Sequence, residues 1–225
     1  MLPIQYLHAD RVRADRGCDT AVSVAPSGSS GATFRRAKRA FDLVLSVMLL
    51  PVLVTVAALL LCLNLVLNRG PLVFAQERLG RHCRPFRVYK FRTMRPGPDA
   101  LAGALATAER HRITPLGGLL RRTRLDELPQ VVNVLRGEMS LIGPRPDMLD
   151  HARRHLFSVP GYRARHAVLP GISGLAQVVE GYAETPEAVR RKVEADLRYI
   201  AEAGWRLEAW IVWRTLLVVL RARGI

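Results

Sequence analysis

Two adjacent carboxylates, Asp126 and Glu127, follow a stretch of sequence that is crowded with arginine, namely Arg121, Arg122 and Arg124. Acidic residues at the start of a helix often only complement the positive end of the helix dipole. On its own, the pair therefore does not establish a catalytic site. Carboxylates beside so many cations indicate more, because they suit a divalent metal ion together with a phosphorylated substrate.

Arg145 is a third component, because it is clamped between Pro144 and Pro146 a short way downstream. A rigidly held guanidinium group offers a fork of donors that suits phosphate oxygens. Asp126 and Glu127 would lie about 100° apart around a helix, so they are not expected to do the same job. We expect one carboxylate to attack phosphorus and the other to hold Mg²⁺.

Short elements are predicted around these residues. Segments 71–80 and 84–94 have the alternation and aromatic content of two strands, and residues 80–84 join them. Segment 114–137 predicts two short helices, with both carboxylates in the first turn of the second helix and Gly137 as its C-cap. A further helix is predicted after Thr185, which is a suitable N-cap.

A run of 25 residues without a charge extends from Leu43 to Leu67. As a straight helix it would reach roughly 37 Å, which is enough for a hydrocarbon core of about 30 Å. Pro51 lies inside this run, and its missing N–H and its ring predict a kink or a break there. Ser46 is expected to satisfy part of the freed backbone carbonyl.

Basic residues flank both ends of the apolar run. They are Arg35, Arg36, Lys38 and Arg39 before it, and Arg69, Arg78, Arg81, Arg84, Arg87 and Lys90 after it. A single crossing would place one cluster outside, against the preference for cytoplasmic Lys and Arg. A helix that bends at Pro51 and returns to the same face is therefore favoured, although a kinked helix that spans the membrane stays open as an alternative.

The two ends of the chain differ in character. Residues 1–33 contain few bulky apolar residues and predict a flexible tail, without the apolar core of a secretory signal. Residues 205–223 carry three tryptophans among arginines and are too short to span a membrane. They favour a helix in the headgroup region, with packing against the rest of the domain as the alternative.

Five motifs, in order and in register, resemble those of the bacterial sugar transferases, the monotopic polyprenyl-phosphate phosphoglycosyltransferases. They are RAFDLVLSVMLLPVLV, GPLVFAQERLGR, PFRVYKFRTM, LRRTRLDELPQVVNVLRGEMSLIGPRP and RHAVLPGISGLAQV. The resemblance extends from about Phe34 to the C-terminus. It implies a transferase that moves a sugar-1-phosphate from a nucleoside diphosphate sugar, usually a UDP-sugar, to polyprenyl (undecaprenyl) phosphate and releases UMP.

The resemblance also implies roles for individual residues. Asp126 matches the nucleophile that holds the phosphosugar covalently, and Glu127 matches the acid that ligates Mg²⁺. The arginine of the Pro144–Pro146 motif matches the nucleotide-sugar site, and Arg121 matches an arginine proposed to meet lipid phosphate. Lys90 and Arg92 belong to a signature near the anionic site, and segment 170–174 is expected to form a loop that borders the pocket.

The fold class that follows is α+β and mainly helical, with a small catalytic domain on the membrane surface. We expect a tail over 1–33, a re-entrant helix bent at Pro51 over 34–70, a catalytic core over 71–185 and interfacial helices over 186–225. We expect a minimal form of the family, without a large N-terminal multi-span region. Two positions depart from many family members, because Leu50 precedes the bending proline and Arg124 precedes the carboxylate motif where serine or threonine is common.

The formal net charge of +15 requires an anionic partner. We expect anionic lipid of the cytoplasmic leaflet of a bacterial inner membrane, the first membrane step of glycan assembly as the setting, and a homodimer as compatible with membrane association. A non-catalytic basic protein that binds lipid or partners at the membrane surface is the alternative. Nucleic acid is not expected, because no zinc-finger spacing or aromatic RNA-binding signature is present.

Overall fold

A computed structural model describes residues 29–67, 70–95, 112–180 and 185–220. Over these residues the fold is mainly helical, with four short strands. The helices are α1 (Ser29–Leu67), α2 (Pro115–Arg122), α3 (Gln130–Leu135), α4 (Leu149–Ser158), α5 (Leu175–Val179), α6 (Pro186–Glu202) and α7 (Trp205–Leu220). The strands are β1 (Val73–Leu79), β2 (Pro85–Phe91), β3 (Ser140–Ile142) and β4 (Gly171–Ser173). The expected tail up to residue 28 lies outside the described residues, and α1 begins ahead of the expected boundary at residue 33.

Helix α1 continues through Pro51 instead of breaking there. The Thr55 hydroxyl donates to the Pro51 carbonyl oxygen at 2.9 Å and supports the turn after the proline. The expected role of Ser46 is not found, because its buried hydroxyl has no hydrogen-bond partner among the described residues. Among the helices in the described ranges, α1 is the one that is long and apolar enough to cross a membrane, with a mean hydropathy of 2.8.

The core contacts α1 on both sides of Pro51. On the N-terminal side, Asp42 accepts a hydrogen bond from the Ser140 hydroxyl at 2.7 Å. On the C-terminal side, Leu60 is buried in a cluster whose other α1 members are Leu53, Val56 and Ala57 and whose core members include Phe91, Leu120, Leu125 and Leu128. The opposite face of α1 carries exposed apolar side chains, including Val44, Val47, Met48, Val54, Leu59 and Leu61. The core therefore packs along much of the length of α1.

The predicted pair of strands is confirmed, because β1 and β2 form an antiparallel hairpin. A 3-10 turn over Arg81–Cys83 joins them, and the Gly80 N–H closes the turn on the Arg84 carbonyl oxygen at 2.8 Å. Strands β3 and β4 pair in parallel. The segment expected as a pocket loop, 170–174, thus contains a strand.

The carboxylate pair does not lie in the first turn of α3 as expected. Asp126 and Glu127 occupy a separate 3-10 turn, Leu125–Glu127, between α2 and α3. Pro129 directly precedes the first residue of α3, which is a position that tolerates its missing N–H. Gly137 has φ +81° just beyond the C-cap of α3, as expected for a glycine that ends a helix.

The C-terminal helices pack onto the same core. Thr185 caps α6 as predicted, since its hydroxyl accepts from the Ala188 N–H at 3.2 Å. Helix α7 buries Ile211 completely, so the alternative of packing against the domain holds for one of its faces. Its other face exposes Trp210 and Trp213, as an interfacial helix would require.

Gly117 and Gly118 are adjacent in α2 and offer a matched test of how closely this helix approaches the backbone of Thr93, two residues after β2. A methyl group on Gly117 would lie 2.0 Å from the Thr93 carbonyl oxygen, whereas the nearest atom to a methyl group on Gly118 is at 4.0 Å. We expect Gly117→Ala to destabilise the fold by about 1–3 kcal/mol or more through this clash. We expect Gly118→Ala to be neutral or stabilising by up to about 1 kcal/mol through helix propensity. Denaturant unfolding of both variants measures the difference, and equal stabilities would contradict the close approach.

Candidate active site

Three elements bring cations onto one carboxylate. Lys90 near the end of β2 donates to Glu127 Oε1 at 2.8 Å. Arg145, in the loop after β3, places Nη1 at 3.1 Å from Glu127 Oε2 and Nη2 against Oε1. Arg124 adds a longer contact at 3.7 Å. Glu127 is therefore bound by three cations, and its side chain is only 7% exposed.

The 3-10 turn that carries the carboxylates is shaped by Arg124. This residue adopts a left-handed conformation with φ +59°, which reverses the chain between α2 and the turn. Its side chain makes no capping hydrogen bond. The Arg124 carbonyl oxygen instead accepts from the Glu127 N–H at 3.1 Å. The turn is thus held by backbone bonds and by ion pairs of Glu127.

The two carboxyl groups have opposite electrostatic environments. Burial alone would raise the pKa of Glu127, but Arg145 and Lys90 hold that pKa well below its usual value. Burial raises the pKa of Asp126, and the attraction of Lys90 offsets this only in part. Such divergence between neighbouring titratable groups is typical of acids with different roles in one site.

Asp126 also differs from Glu127 in its contacts. Its Oδ1 atom is buried and has no hydrogen-bond partner within the described part of the chain. An unpaired buried carboxylate oxygen is costly and rare, so it needs an explanation. Because no donor competes for its lone pairs, this oxygen is suited to attack an electrophile or to bind a cation.

The other predicted site residues lie at different distances from the pair. Arg121 donates from Nε to the Thr93 hydroxyl at 2.9 Å, and its charge partly opposes the rise in the pKa of Asp126. Arg92 lies against Gly70, where a methyl group would come within 2.1 Å of its guanidinium. Lys90 and Arg145 are thus the two predicted cations that meet Glu127 directly.

The proline-flanked loop is fixed mainly through its backbone. The Pro144 carbonyl oxygen accepts from the Gly171 N–H at 3.0 Å, and the Pro146 carbonyl oxygen accepts from Arg78 at 2.9 Å. The Arg145 guanidinium also donates to the Ile172 carbonyl oxygen at 3.1 Å. Segment 170–174 therefore borders this part of the site as expected, although as a strand.

Sequence reasoning missed Arg165, which is buried behind this loop. Its Nη2 donates to the main-chain carbonyl oxygen of Arg145 at 2.7 Å, and the same guanidinium pairs with Asp147 and Asp196. A signal existed in α6, because Asp196 falls on the helical stripe of the buried residues Val189, Val193 and Ile200. A charge on an apolar stripe indicates a buried partner.

The sequence of most of the chain is similar to those of known proteins. A family model described as bacterial sugar transferase matches residues 33–222. An N-acetylgalactosaminephosphotransferase of Aeromonas hydrophila, named for UDP-N-acetylgalactosamine and undecaprenyl phosphate, is 40% identical over 83% of this chain and 44% of its own length. A UDP-glucose:undecaprenyl-phosphate glucose-1-phosphate transferase of Escherichia coli (strain K12) is 39% identical over 82% of this chain and 39% of its own.

A shorter relative matches almost completely. The exopolysaccharide production protein PSS of Rhizobium leguminosarum bv. phaseoli is 38% identical over 83% of this chain and 97% of its own length. The chain thus spans less than half the length of the first two relatives and nearly the whole of the third.

Proposed function

This chain belongs to the bacterial sugar transferase family, and we infer that it transfers a sugar-1-phosphate from a UDP-sugar to polyprenyl phosphate. The observation that carries this function is the pair of unlike carboxylates, with an unpaired Asp126 oxygen beside a Glu127 bound by Lys90 and Arg145. The printed names of relatives couple UDP-sugars to undecaprenyl phosphate, with different sugars. The sugar of this chain is left open, since it depends on the shape of the pocket.

Asp126 is the nucleophile in this proposal. One of its oxygens attacks the phosphorus that bears the sugar, a new phosphorus–oxygen bond forms, and the bond to the bridging oxygen breaks so that UMP leaves with that oxygen. An oxygen of polyprenyl phosphate then attacks the same phosphorus. This second step releases Asp126 and gives polyprenyl diphosphate sugar. Both attacks bring negative groups together, so cations are needed to offset their repulsion.

Lys90 and Arg145 supply these cations. In the structure they pair with Glu127, and the donor diphosphate takes over their hydrogen bonds when it binds. The cavity behind Arg145 has a volume of about 10 Å³, which is too small for more than one water. We expect the phosphates to bind instead at the solvent-accessible part of the Arg145 side chain, which is 18% exposed. Arg121, which acts on Asp126 electrostatically, meets the lipid phosphate in this proposal.

Mg²⁺ fits the donor chemistry of this site. Mg²⁺ usually binds through one or two carboxylates together with substrate phosphates, and Glu127 with the unpaired Oδ1 of Asp126 provides such a set. The described residues hold no cluster of three or more candidate ligands, so the substrate would complete the coordination. The ion would neutralise charge on the phosphates, while Glu127 holds it beside the nucleophile.

The site lies at the cytoplasmic face of the bacterial inner membrane, in the first membrane step of glycan assembly. Leu53 and Leu60 of α1 share one cluster with Leu125 of the carboxylate turn. If α1 crossed the membrane, the charged side chains of the carboxylate turn would be carried into the hydrocarbon core, at a cost of several kcal/mol each. A re-entrant α1, with Pro51 near its deepest point, keeps them at headgroup level. The exposed tryptophans of α7 support the same placement.

This topology is tested with a tag at each end of the chain in intact inner-membrane vesicles of known orientation. Both tags should be open to protease from the cytoplasmic side, because the basic flanks of α1 both stay there. Tags on opposite sides would contradict re-entry. Crosslinking in the same vesicles tests the homodimer, for which we expect a product of twice the chain mass.

The reaction itself is tested with purified full chain, Mg²⁺, undecaprenyl phosphate and a panel of UDP-sugars. We expect UMP as the nucleotide product from at least one donor, together with a lipid-linked sugar diphosphate. Release of UDP would indicate direct glycosyl transfer without the phosphate and would contradict the proposal. No nucleotide release over a broad panel would favour a non-catalytic protein that binds lipid.

Arg165 is a positioning residue for Arg145, and its conservative replacement tests that role. Arg165→Lys keeps the charge but loses the fork that joins Asp147, Asp196 and the Arg145 carbonyl oxygen. We expect the KM for the donor to rise about tenfold at a temperature where the variant is folded, because the loop that presents Arg145 is no longer fixed. Arg163→Lys in the same turn is the control and should leave KM unchanged. A fall in kcat with an unchanged KM would contradict the positioning role.

A further inference from the structure

Four arginines line an open cavity away from the carboxylate pair. Arg35, Arg36 and Arg39 come from two successive turns of α1, and Arg81 comes from the turn between β1 and β2. Ala32 completes the lining, and the cavity volume is about 460 Å³. Among the described residues that line it, none is acidic. We call this cavity the arginine pocket.

The arginine pocket is partly preorganised by backbone carbonyl groups. Arg39 donates to the Val134 carbonyl oxygen at 2.8 Å and to the Met139 carbonyl oxygen at 3.4 Å. Arg81 donates from Nε to the Ala167 carbonyl oxygen at 3.3 Å. Neutral carbonyl groups fix these two guanidinium groups without cancelling their charge. Two fixed guanidinium groups that are held by neutral carbonyl groups suit a phosphate with several oxygens.

The arginine pocket is separate from the candidate active site. Arg39 binds Val134 near the C-terminal end of α3, whereas Asp126 and Glu127 precede the N-terminal end of the same helix. The six residues of α3 account for about 9 Å along its axis. A phosphate in the arginine pocket therefore lies outside the reach of the nucleophile and is not the donor diphosphate during the reaction.

The pocket also lies where the chain changes from polar to apolar. Arg39 is one helical turn ahead of the uncharged run that begins at Leu43. Lys38, beside it, pairs with the buried Glu208 of α7 at 2.6 Å. Phe34 of α1 packs edge-on against Trp205 at the start of α7, with ring centroids 5.3 Å apart. These contacts fix the arginine-bearing end of α1 against the core, at the level where headgroups would surround it.

We propose that the arginine pocket binds the phosphate of an anionic phospholipid from the leaflet that holds the apolar part of α1. The proposal rests on the membrane placement argued above, but not on the chemistry of the carboxylates. The bound headgroup fixes how deep the core sits, because Arg39 joins α1 to α3 and Arg81 joins the hairpin to the turn at Ala167. The carboxylate turn at the other end of α3 is thereby kept at the depth of a lipid phosphate.

The test compares lipid binding by two double variants of the detergent-purified full chain. Arg36→Gln with Arg81→Gln removes two charges from the pocket. The control, Arg153→Gln with Arg154→Gln, removes the same charge from α4. Phosphatidylglycerol and phosphatidylcholine are titrated separately, and retained lipid is counted by native mass spectrometry. Loss of two headgroup contacts should weaken phosphatidylglycerol binding on the order of 30-fold in the pocket variant, with little change in the control.

Competition with UDP-glucose and with inorganic phosphate distinguishes the sources of the anion. Neither should displace phosphatidylglycerol at concentrations near those of the lipid, because a lipid also gains from apolar contact with α1. Equal weakening in both double variants would overturn the proposal in favour of diffuse charge, and displacement by UDP-glucose would overturn it in favour of a donor site. UMP release is measured in parallel with both variants. Loss of phosphatidylglycerol binding in the pocket variant with retained UMP release supports the proposal. If the unmodified chain releases no UMP, the proposed function is refuted, and the lipid proposal is then decided by the binding data alone.

Discussion

Asp126→Asn abolishes the covalent phosphosugar and lowers turnover on the order of 10⁴-fold or more, because an amide cannot form the acyl phosphate. The measurement is the intact mass of the protein after incubation with donor and Mg²⁺ but without polyprenyl phosphate. The unmodified chain gains the mass of one phosphosugar, and the variant gains none. Recovery of labelled phosphosugar on the variant would contradict the assignment of the nucleophile.

The same variant should remain folded. The pKa of Asp126 is raised in the folded chain, mainly by burial, so the ionised group opposes folding once the pH exceeds its unfolded pKa. A neutral amide of the same shape removes that penalty, and the Tm at pH 7 should be equal or higher. Asp150→Asn, an exposed position in α4, is the control and should keep both the covalent intermediate and the Tm. An inactive variant with a much lower Tm would mean that activity was lost through unfolding.

Glu127→Gln has the second largest expected effect. Unlike Asp126→Asn, it is expected to lower the stability of the fold as well as turnover. The change leaves Lys90 and Arg145 without their shared counter-ion in a half-buried site. Breaking such a pair costs about 3–5 kcal/mol, or a fall in Tm on the order of 10 °C for a chain of this size. We also expect turnover to fall about 10²–10³-fold, with a higher Mg²⁺ concentration needed for half of the remaining activity.

The pH dependence of this stability loss has a definite sign. Since the folded pKa of Glu127 lies well below the usual 4.5, its contribution is present above that value and fades as the pH falls toward the folded pKa. The Tm difference between the unmodified chain and Glu127→Gln should therefore shrink in acid. Glu187→Gln, at an exposed position in the first turn of α6, serves as the control with an unchanged Tm. An equal Tm for Glu127→Gln at pH 7 would exclude the ion-pair cluster around this residue.

Local signals explain the elements that could be predicted from sequence. Thr185 and Gly137 mark helix ends because capping depends on neighbours a few residues away. The alternation in segments 71–80 and 84–94 predicts the β1–β2 hairpin because strand periodicity is equally local. The carboxylates and the proline-flanked arginine could be grouped by the chemistry that they share, whereas the place of Lys90 in the site was implied by the family resemblance. These features required no knowledge of tertiary contacts.

Other features depend on contacts that a single sequence does not display. Arg124, with its left-handed backbone, helps to separate the carboxylates from α3. An arginine does not predict this conformation, because glycine is the usual residue in it. Arg165 reaches Asp196 and the backbone of Arg145 across large sequence separations. Ser46 was expected to support Pro51 because it is close in sequence, but tertiary packing buries its hydroxyl. Propensity and motif arguments fail where packing decides.

The cluster that joins Leu60 to Leu125 and Leu128 has a practical consequence for protein engineering. A truncated chain that starts after α1, made to obtain a water-soluble domain, would lose the apolar contacts that cover the turn of Asp126. The uncovered leucines would promote aggregation, and detergent could occupy the gap without restoring the geometry. Solubility in this protein is better sought by changing the outward-facing side chains of α1, such as Val44 and Met48, than by removing the helix.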